Sequence, residues 1–140
     1  MENLEYLNSN SKSFYEQQIE CIKNNYGLPQ YNYIQVRQSR LFMEKYLSEK
    51  IELEAIAAAA FMSRFHYIRI FQKIYGITPR QYLRNLRLAK AKELLQSGIS
   101  VSQVCFDVGY NSVPTFYTAF KIATGHSPLT YQKLNKSNRE

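Results

Sequence analysis

Only two of the 140 residues are cysteines. Cys21 and Cys105 stand far apart and outside any CxxC or Cys/His spacing, so neither a structural zinc nor a disulfide framework is suggested. Strand signals are almost missing, and apolar residues after Tyr33 recur at steps of three and four, which predicts an all-α fold. No uninterrupted apolar run approaches the roughly 20 residues that a bilayer span requires, and Met1-Glu-Asn-Leu-Glu5 lacks the basic-then-apolar layout of a secretion signal. The expectation is a cytoplasmic chain with no membrane partner. Catalysis has little to draw on: there are two histidines, no nucleophile motif, no phosphate-cradling glycine loop and no clustered acid pair. The chain is therefore read as a non-enzyme that carries no metal and no cofactor.

What is abundant is positive charge, and it is unevenly spread. The formal net charge is +7; residues 1–29 hold two Lys against four Glu, and residues 30–140 hold sixteen Lys and Arg against seven Asp and Glu. Concentrated basic charge favours a polyanionic partner, because neutralising phosphates releases counterions. A basic but merely soluble surface has the same composition.

Helix punctuation is legible along the chain. Thr78-Pro79-Arg80-Gln81 reads as a capping box with proline at the first helical position. Ser100-Val101-Ser102-Gln103 reads as a second box, Ser127-Pro128 as a further cap-plus-proline start, and Gly98 as a helix terminator. These signals predict helices near 36–48, 53–60, 64–75, 79–96, 101–107, 113–123 and 128–134. Residues 1–38 form a polar N-terminal arm, broken at Gly27-Leu28-Pro29, with one candidate helix from Phe14 to Asn24.

A repeat organises the rest. Ser63, Phe71, Gly76 and Pro79 recur 49 residues later, at identical spacing, as Ser112, Phe120, Gly125 and Pro128. Each copy reads as a serine N-cap, a helix of about three turns, a glycine stop and a proline that opens the next helix. A short helix precedes each cap, which gives two helix-turn-helix units over about 53–75 and 101–123. Helical periodicity sorts the longer helix of each unit into two faces. Tyr67, Ile70, Phe71 and Ile74, with Phe116, Ala119, Phe120 and Ala123 as their equivalents, form the expected buried stripes. Phe65, Ile68, Arg69 and Gln72 form the outward face of the first unit, and Pro114, Tyr117, Thr118 and Lys121 that of the second.

The helix over 79–96 links the units. At about 1.5 Å per residue it spans roughly 25 Å, compatible with successive major grooves of a duplex. Arg80, Arg84 and Arg87 read equally as a solvated basic face and as phosphate contacts. Leu88, Ala91 and Leu95, with Leu94 beside them, form its expected buried stripe.

With these residues in view, the stretch from about Ser39 to Leu134 resembles the DNA-binding domain of the AraC/XylS family of bacterial regulators. The resemblance rests on Phe71-Gln-Lys-Ile-Tyr-Gly-Ile-Thr-Pro-Arg-Gln-Tyr-Leu83, Arg87-Leu-Ala-Lys-Ala-Lys-Glu-Leu-Leu95, Val108-Gly-Tyr-Asn-Ser112 and Phe120-Lys-Ile-Ala-Thr-Gly-His-Ser-Pro128. It implies a seven-helix domain over 39–134, followed by a tail at 135–140, with two homeodomain-like helix-turn-helix subdomains on a shared linker helix. The implied function is sequence-specific binding of double-stranded DNA in two adjacent major grooves as a monomer, with transcription activation through RNA polymerase. The contacts carried over fall on Arg64, Phe65, His66, Ile68 and Arg69 in the first unit, with Gln72 on the same face. In the second they fall on Val113, Pro114, Thr115, Tyr117 and Thr118, with Lys121 beyond them. Arg69 is the leading base reader, since a guanidinium pairs in a bidentate manner with guanine. His66 is read either as a phosphate contact or as an incidental exposed histidine.

Two departures stand out. Phe61 occupies a turn position where the family usually has glycine, so either a bulky residue sits in an unfavourable backbone conformation or the turn differs. The second recognition helix has no arginine on its outer face, which predicts that the first unit carries most of the specificity. About 38 residues precede the domain, too few for a sugar-binding barrel, so the chain reads as a stand-alone regulator or the C-terminal piece of a longer one, with Met1 favouring the former. Relatives fused to DNA-alkylation repair depend on a cluster of zinc-binding cysteines that this sequence lacks. The competing expectation is a protein-interaction module that keeps the fold without specific DNA binding.

Overall fold

The computed structural model describes residues 29–137, which form seven helices. These are α1 (Gln30–Tyr46), α2 (Leu53–Ala59), α3 (Arg64–Tyr75), α4 (Pro79–Gln96), α5 (Val101–Asp107), α6 (Val113–Thr124) and α7 (Pro128–Ser137). The candidate helix at Phe14–Asn24, Cys21 and the last residues of the tail lie outside the described residues.

Five of the seven helix starts carry a side-chain cap, the exceptions being α1 and α2. The hydroxyls of Ser63, Ser100 and Ser112 accept from the backbone N–H three residues on, in His66, Gln103 and Thr115. Thr78 forms a full capping box: its hydroxyl accepts from Gln81 N–H at 3.2 Å, and the Gln81 side chain accepts from Thr78 N–H at 3.0 Å. The box expected at Ser100 is only half made, because Gln103 donates instead to Asp107 at 2.7 Å, an i,i+4 contact that competes for the same amide. Gly76 and Gly125 end α3 and α6 in matching left-handed conformations, φ 77° and 81°.

The first helix departs from expectation: it begins at Gln30, six residues early. Pro29 holds an extended conformation that starts the helix, and Tyr33, Val36 and Met43 then point into the core. A stretch composed as Gln-Tyr-Asn-Tyr reads as polar, yet burial of tyrosine rings against neighbouring helices overrides that reading. α7 also runs three residues beyond the expected Leu134.

Two cores form, one per unit, and α4 serves both. The first gathers Tyr33, Val36 and Met43 with Ile56, Ala57, Ala60, Tyr67, Ile70, Phe71, Ile74 and Leu83. The second gathers Leu88, Ala91 and Leu95 of α4 with Val104, Cys105, Val108, Phe116 and Phe120. The repeated phenylalanines are the centre of each core. Phe71 packs against the rings of Tyr67, Tyr75 and Tyr82, and Phe120 against those of Phe116 and Tyr131. Leu83 and Pro79, absent from the predicted stripe of α4, are buried as well.

Candidate nucleic-acid interface

The turn of each unit presents its longer helix to the outside, and the two turns are built alike. Met62 N–H donates to Ala57 and Phe61 N–H to Ala58; Tyr110 N–H donates to Cys105 and Gly109 N–H to Phe106. This is the paired bonding of a left-handed helix stop. Phe61 does adopt that conformation, at φ 55°, so the first of the two alternatives holds: a bulky residue sits where glycine is cheapest. Its ring is 79% exposed. Gly109 takes the same place in the second turn, which is one residue longer before its serine cap.

On α3 the predicted faces separate cleanly. Tyr67, Ile70, Phe71 and Ile74 are buried, while Phe65 is 79% exposed and Arg69 and Gln72 are exposed. Phe65, Ile68, Arg69 and Gln72 line one shallow open groove together with Lys73, a cation that the periodicity argument left out. Lys73 lies four residues beyond Arg69, one turn further along the same side. Arg64 is differently placed. Its guanidinium bonds Glu54 of α2 at 3.0 Å and sits 6.0 Å from the Phe65 ring, so its charge is partly answered within the protein. His66 is half-buried.

The second recognition helix is less regular. Phe116 and Phe120 are buried, but Ala119 is only half-buried and Ala123 is exposed, so the buried stripe is narrower than expected. Ala119 packs against the edge of the core that the two phenylalanines fill, and Ala123, one turn further on, lies outside it. Val113 packs partly against that core, which removes it from the outer face. Thr115 and Thr118 spend their hydroxyls locally: Ser112 donates to Thr115 at 2.8 Å, and Thr118 donates to the Pro114 carbonyl at 3.0 Å. Tyr117 is 40% exposed and Lys121 is exposed.

A second, larger open groove of about 860 Å³ runs between α4 and α6, lined by Arg84 and Asn85 on one side and Pro114, Thr115, Thr118 and Ile122 on the other. The sequence showed no arginine on α6, and the fold supplies one from the linker helix. That placement is invisible to periodicity, because it depends on how α4 crosses α6.

The three linker arginines part ways. Arg80 and Arg84 are exposed. Arg87 is half-buried, donating from Nε to the Leu47 carbonyl at 3.0 Å and from Nη2 to the Glu49 carbonyl at 2.9 Å. Desolvation lowers its pKa from the ordinary arginine value, with the Tyr110 hydroxyl opposing. It is therefore not part of a solvated basic face.

Among the described residues no cluster of His, Cys, Asp and Glu could hold a metal, and no helix is long and apolar enough to cross a membrane. Cys105 is a free buried thiol whose pKa is raised by desolvation.

Comparison with known proteins places these features. A family model described as a helix-turn-helix domain matches residues 56–134. The chain is 33% identical over 96 residues to the bifunctional transcriptional activator/DNA repair enzyme AdaA of Bacillus subtilis, covering 68% of this chain and 46% of that protein. It is 35% identical over 88 residues to the transcriptional activator RhaS of Escherichia fergusonii, covering 62% and 32%. The chain thus spans less than half the length of these curated relatives. Among solved structures, the DNA-binding domain of AdpA in complex with a target DNA superposes with a TM-score of 0.72 at 28% identity, covering 74% of this chain and 95% of that one. The C-terminal domain of AraT, a response regulator from Geobacillus stearothermophilus, gives 0.69 at 32% identity, covering 71% and 84%.

Proposed function

This chain belongs to the AraC/XylS family of helix-turn-helix proteins, and we propose that it is a sequence-specific transcription regulator that sets α3 and α6 into adjacent major grooves of duplex DNA. The observation that carries the proposal is the outward face of α3, where exposed Arg69, Gln72 and Lys73 share one groove with Phe65 and Ile68. Guanidinium and carboxamide groups are the side chains that pair with base edges, and apolar neighbours suit thymine methyl groups. Lys121, Arg80 and Arg84 extend the positive surface over α6 and α4, where phosphates would lie.

The two grooves are unequal in chemistry. The first offers free charge-bearing and amide groups. The second is lined by Pro114, Ile122 and two threonines whose hydroxyls are already bonded locally, with Arg84 and Asn85 of the linker helix as its remaining polar groups. We read the first unit as the base reader and the second as a docking element held by apolar and backbone contacts. Two readers on one chain support binding as a monomer. Activation is supported by the two relatives described as activators, with RNA polymerase as the expected partner, and a DNA partner together with bacterial relatives supports a cytoplasmic location.

Titration of random duplex DNA at rising salt tests the reading. Phosphate-mediated binding predicts a steep, linear fall of log affinity with log salt. No measurable binding at low salt would overturn it in favour of a protein-interaction module, which the apolar outer side of α6 would suit. Selection of preferred sites from random DNA then tests sequence specificity.

A further inference from the structure

At one point on the surface both units and the linker helix meet. Arg87, at the middle of α4, directs Nε and Nη2 at the Leu47 and Glu49 carbonyls, which belong to the loop between α1 and α2 of the first unit. The turn of the second unit closes on the same spot. A Cβ added to Gly109 would stand 2.5 Å from the Leu47 carbonyl oxygen, 3.0 Å from Arg87 Nε and 3.1 Å from Arg87 Nη2. Tyr110, the next residue, lines one cleft with Arg87, Ile51 and Leu83. The hydrophobic cores themselves do not join the units, since each closes on its own stretch of α4.

We infer that Arg87 is the positioning residue that locks the two helix-turn-helix units to each other, and so fixes the base-pair spacing between the two grooves the chain accepts. The inference about spacing rests on the DNA-binding reading above. A planar fork bonded to two backbone carbonyls cannot slide or rotate without losing both bonds, whereas an ammonium at the same place holds one point only. The junction also accounts for the difference between the two turns. Phe61 is tolerated in the first because its ring projects into open solvent, and glycine is required in the second because Leu47 and Arg87 occupy the space of a side chain.

Two linked readers bind with the benefit of effective concentration only at spacings their joint permits. A rigid joint sharpens that selection and a loose one blurs it. The test has two independent readouts on the full chain. With Gln38→Cys and Ser102→Cys as spin-label sites, Cys21→Ser as background and Cys105 left in its buried position, the width of the interlabel distance distribution is measured without DNA. Affinity is then compared for a selected site and for the same site lengthened between its halves by one base pair.

The wild type is expected to give a narrow distribution and to lose about tenfold or more on the lengthened site; Arg87→Ala is expected to broaden the distribution and to lose only about two- to threefold. Arg87→Lys should fall between them, and it carries the comparison alone if Arg87→Ala does not fold. An unchanged distribution width overturns the lock. A broadened distribution with the wild-type spacing penalty overturns its link to spacing. If the wild type binds no duplex at all, the DNA-binding reading fails while the label distances still decide the lock.

Discussion

The Tyr67 hydroxyl donates to Ser39 Oγ at 2.8 Å, and Ser39 in turn donates to the Val36 carbonyl at 2.6 Å, a buried chain that ties recognition helix α3 to α1. Tyr67 and Ser39 are both fully buried. Removing the donor leaves a hydroxyl with one acceptor site unused, so Tyr67→Phe should cost about 1 kcal/mol in denaturant unfolding. The same variant carries a pH signature. Burial raises the Tyr67 pKa well above its ordinary value of 10.0, so the unfolded state loses that proton first. The stabilisation is complete below pH 10 and is lost as pH climbs from there towards the folded value. Stability should fall above pH 10 with a limiting slope of about 1.4 kcal/mol per pH unit from this group, and Tyr67→Phe should flatten the fall. Tyr110 and Tyr33 are shifted in the same direction, so a residual slope is expected in the variant.

Phe61 and Gly109 hold equivalent left-handed turn positions with opposite surroundings. Phe61→Gly relieves a conformation that costs a side-chain-bearing residue about 1–2 kcal/mol, offset by the greater chain entropy of glycine, for a net gain of about 0.5–1 kcal/mol. Gly109→Ala meets the Leu47 carbonyl at 2.5 Å as well as the backbone strain, and should cost about 2 kcal/mol or more. Thermal unfolding of the two variants checks the contrast; similar shifts in both would contradict it.

Arg84 supplies the charge that α6 lacks. As a cation at the margin of the second groove rather than a base reader, it should contribute equally on all sequences. Arg84→Ala is expected to weaken binding to specific and random duplexes alike and to reduce the salt slope by about 1. A loss confined to one sequence would make Arg84 a base contact instead.

Much of this was legible in the sequence because its punctuation is local. Serine caps, the Thr78–Gln81 box and the glycine stops depend on residues three or four apart, and the repeat of Phe71 as Phe120 exposes the two cores. The outward face of α3 was legible for the same reason. Three features were not, and each is set by distant packing. The start of α1 at Gln30 depends on burial of Tyr33 by other helices. The approach of Arg84 to Pro114 and Thr118 depends on how α4 crosses α6. Arg87 has the same helical spacing as Arg80 and Arg84, and only the carbonyls of a loop some 40 residues earlier distinguish it.

The central claim is that an evenly repeated scaffold carries two unequal readers, and it is tested most directly by the binding losses of Arg69→Ala and Thr118→Ala on one selected DNA site. Loss of a bidentate guanine pair is worth about 1–3 kcal/mol, or roughly 5- to 150-fold in affinity. Thr118, whose hydroxyl already bonds Pro114, should cost about threefold or less. A large loss for Arg69→Ala beside a small one for Thr118→Ala is the predicted result; equal losses would contradict the claim.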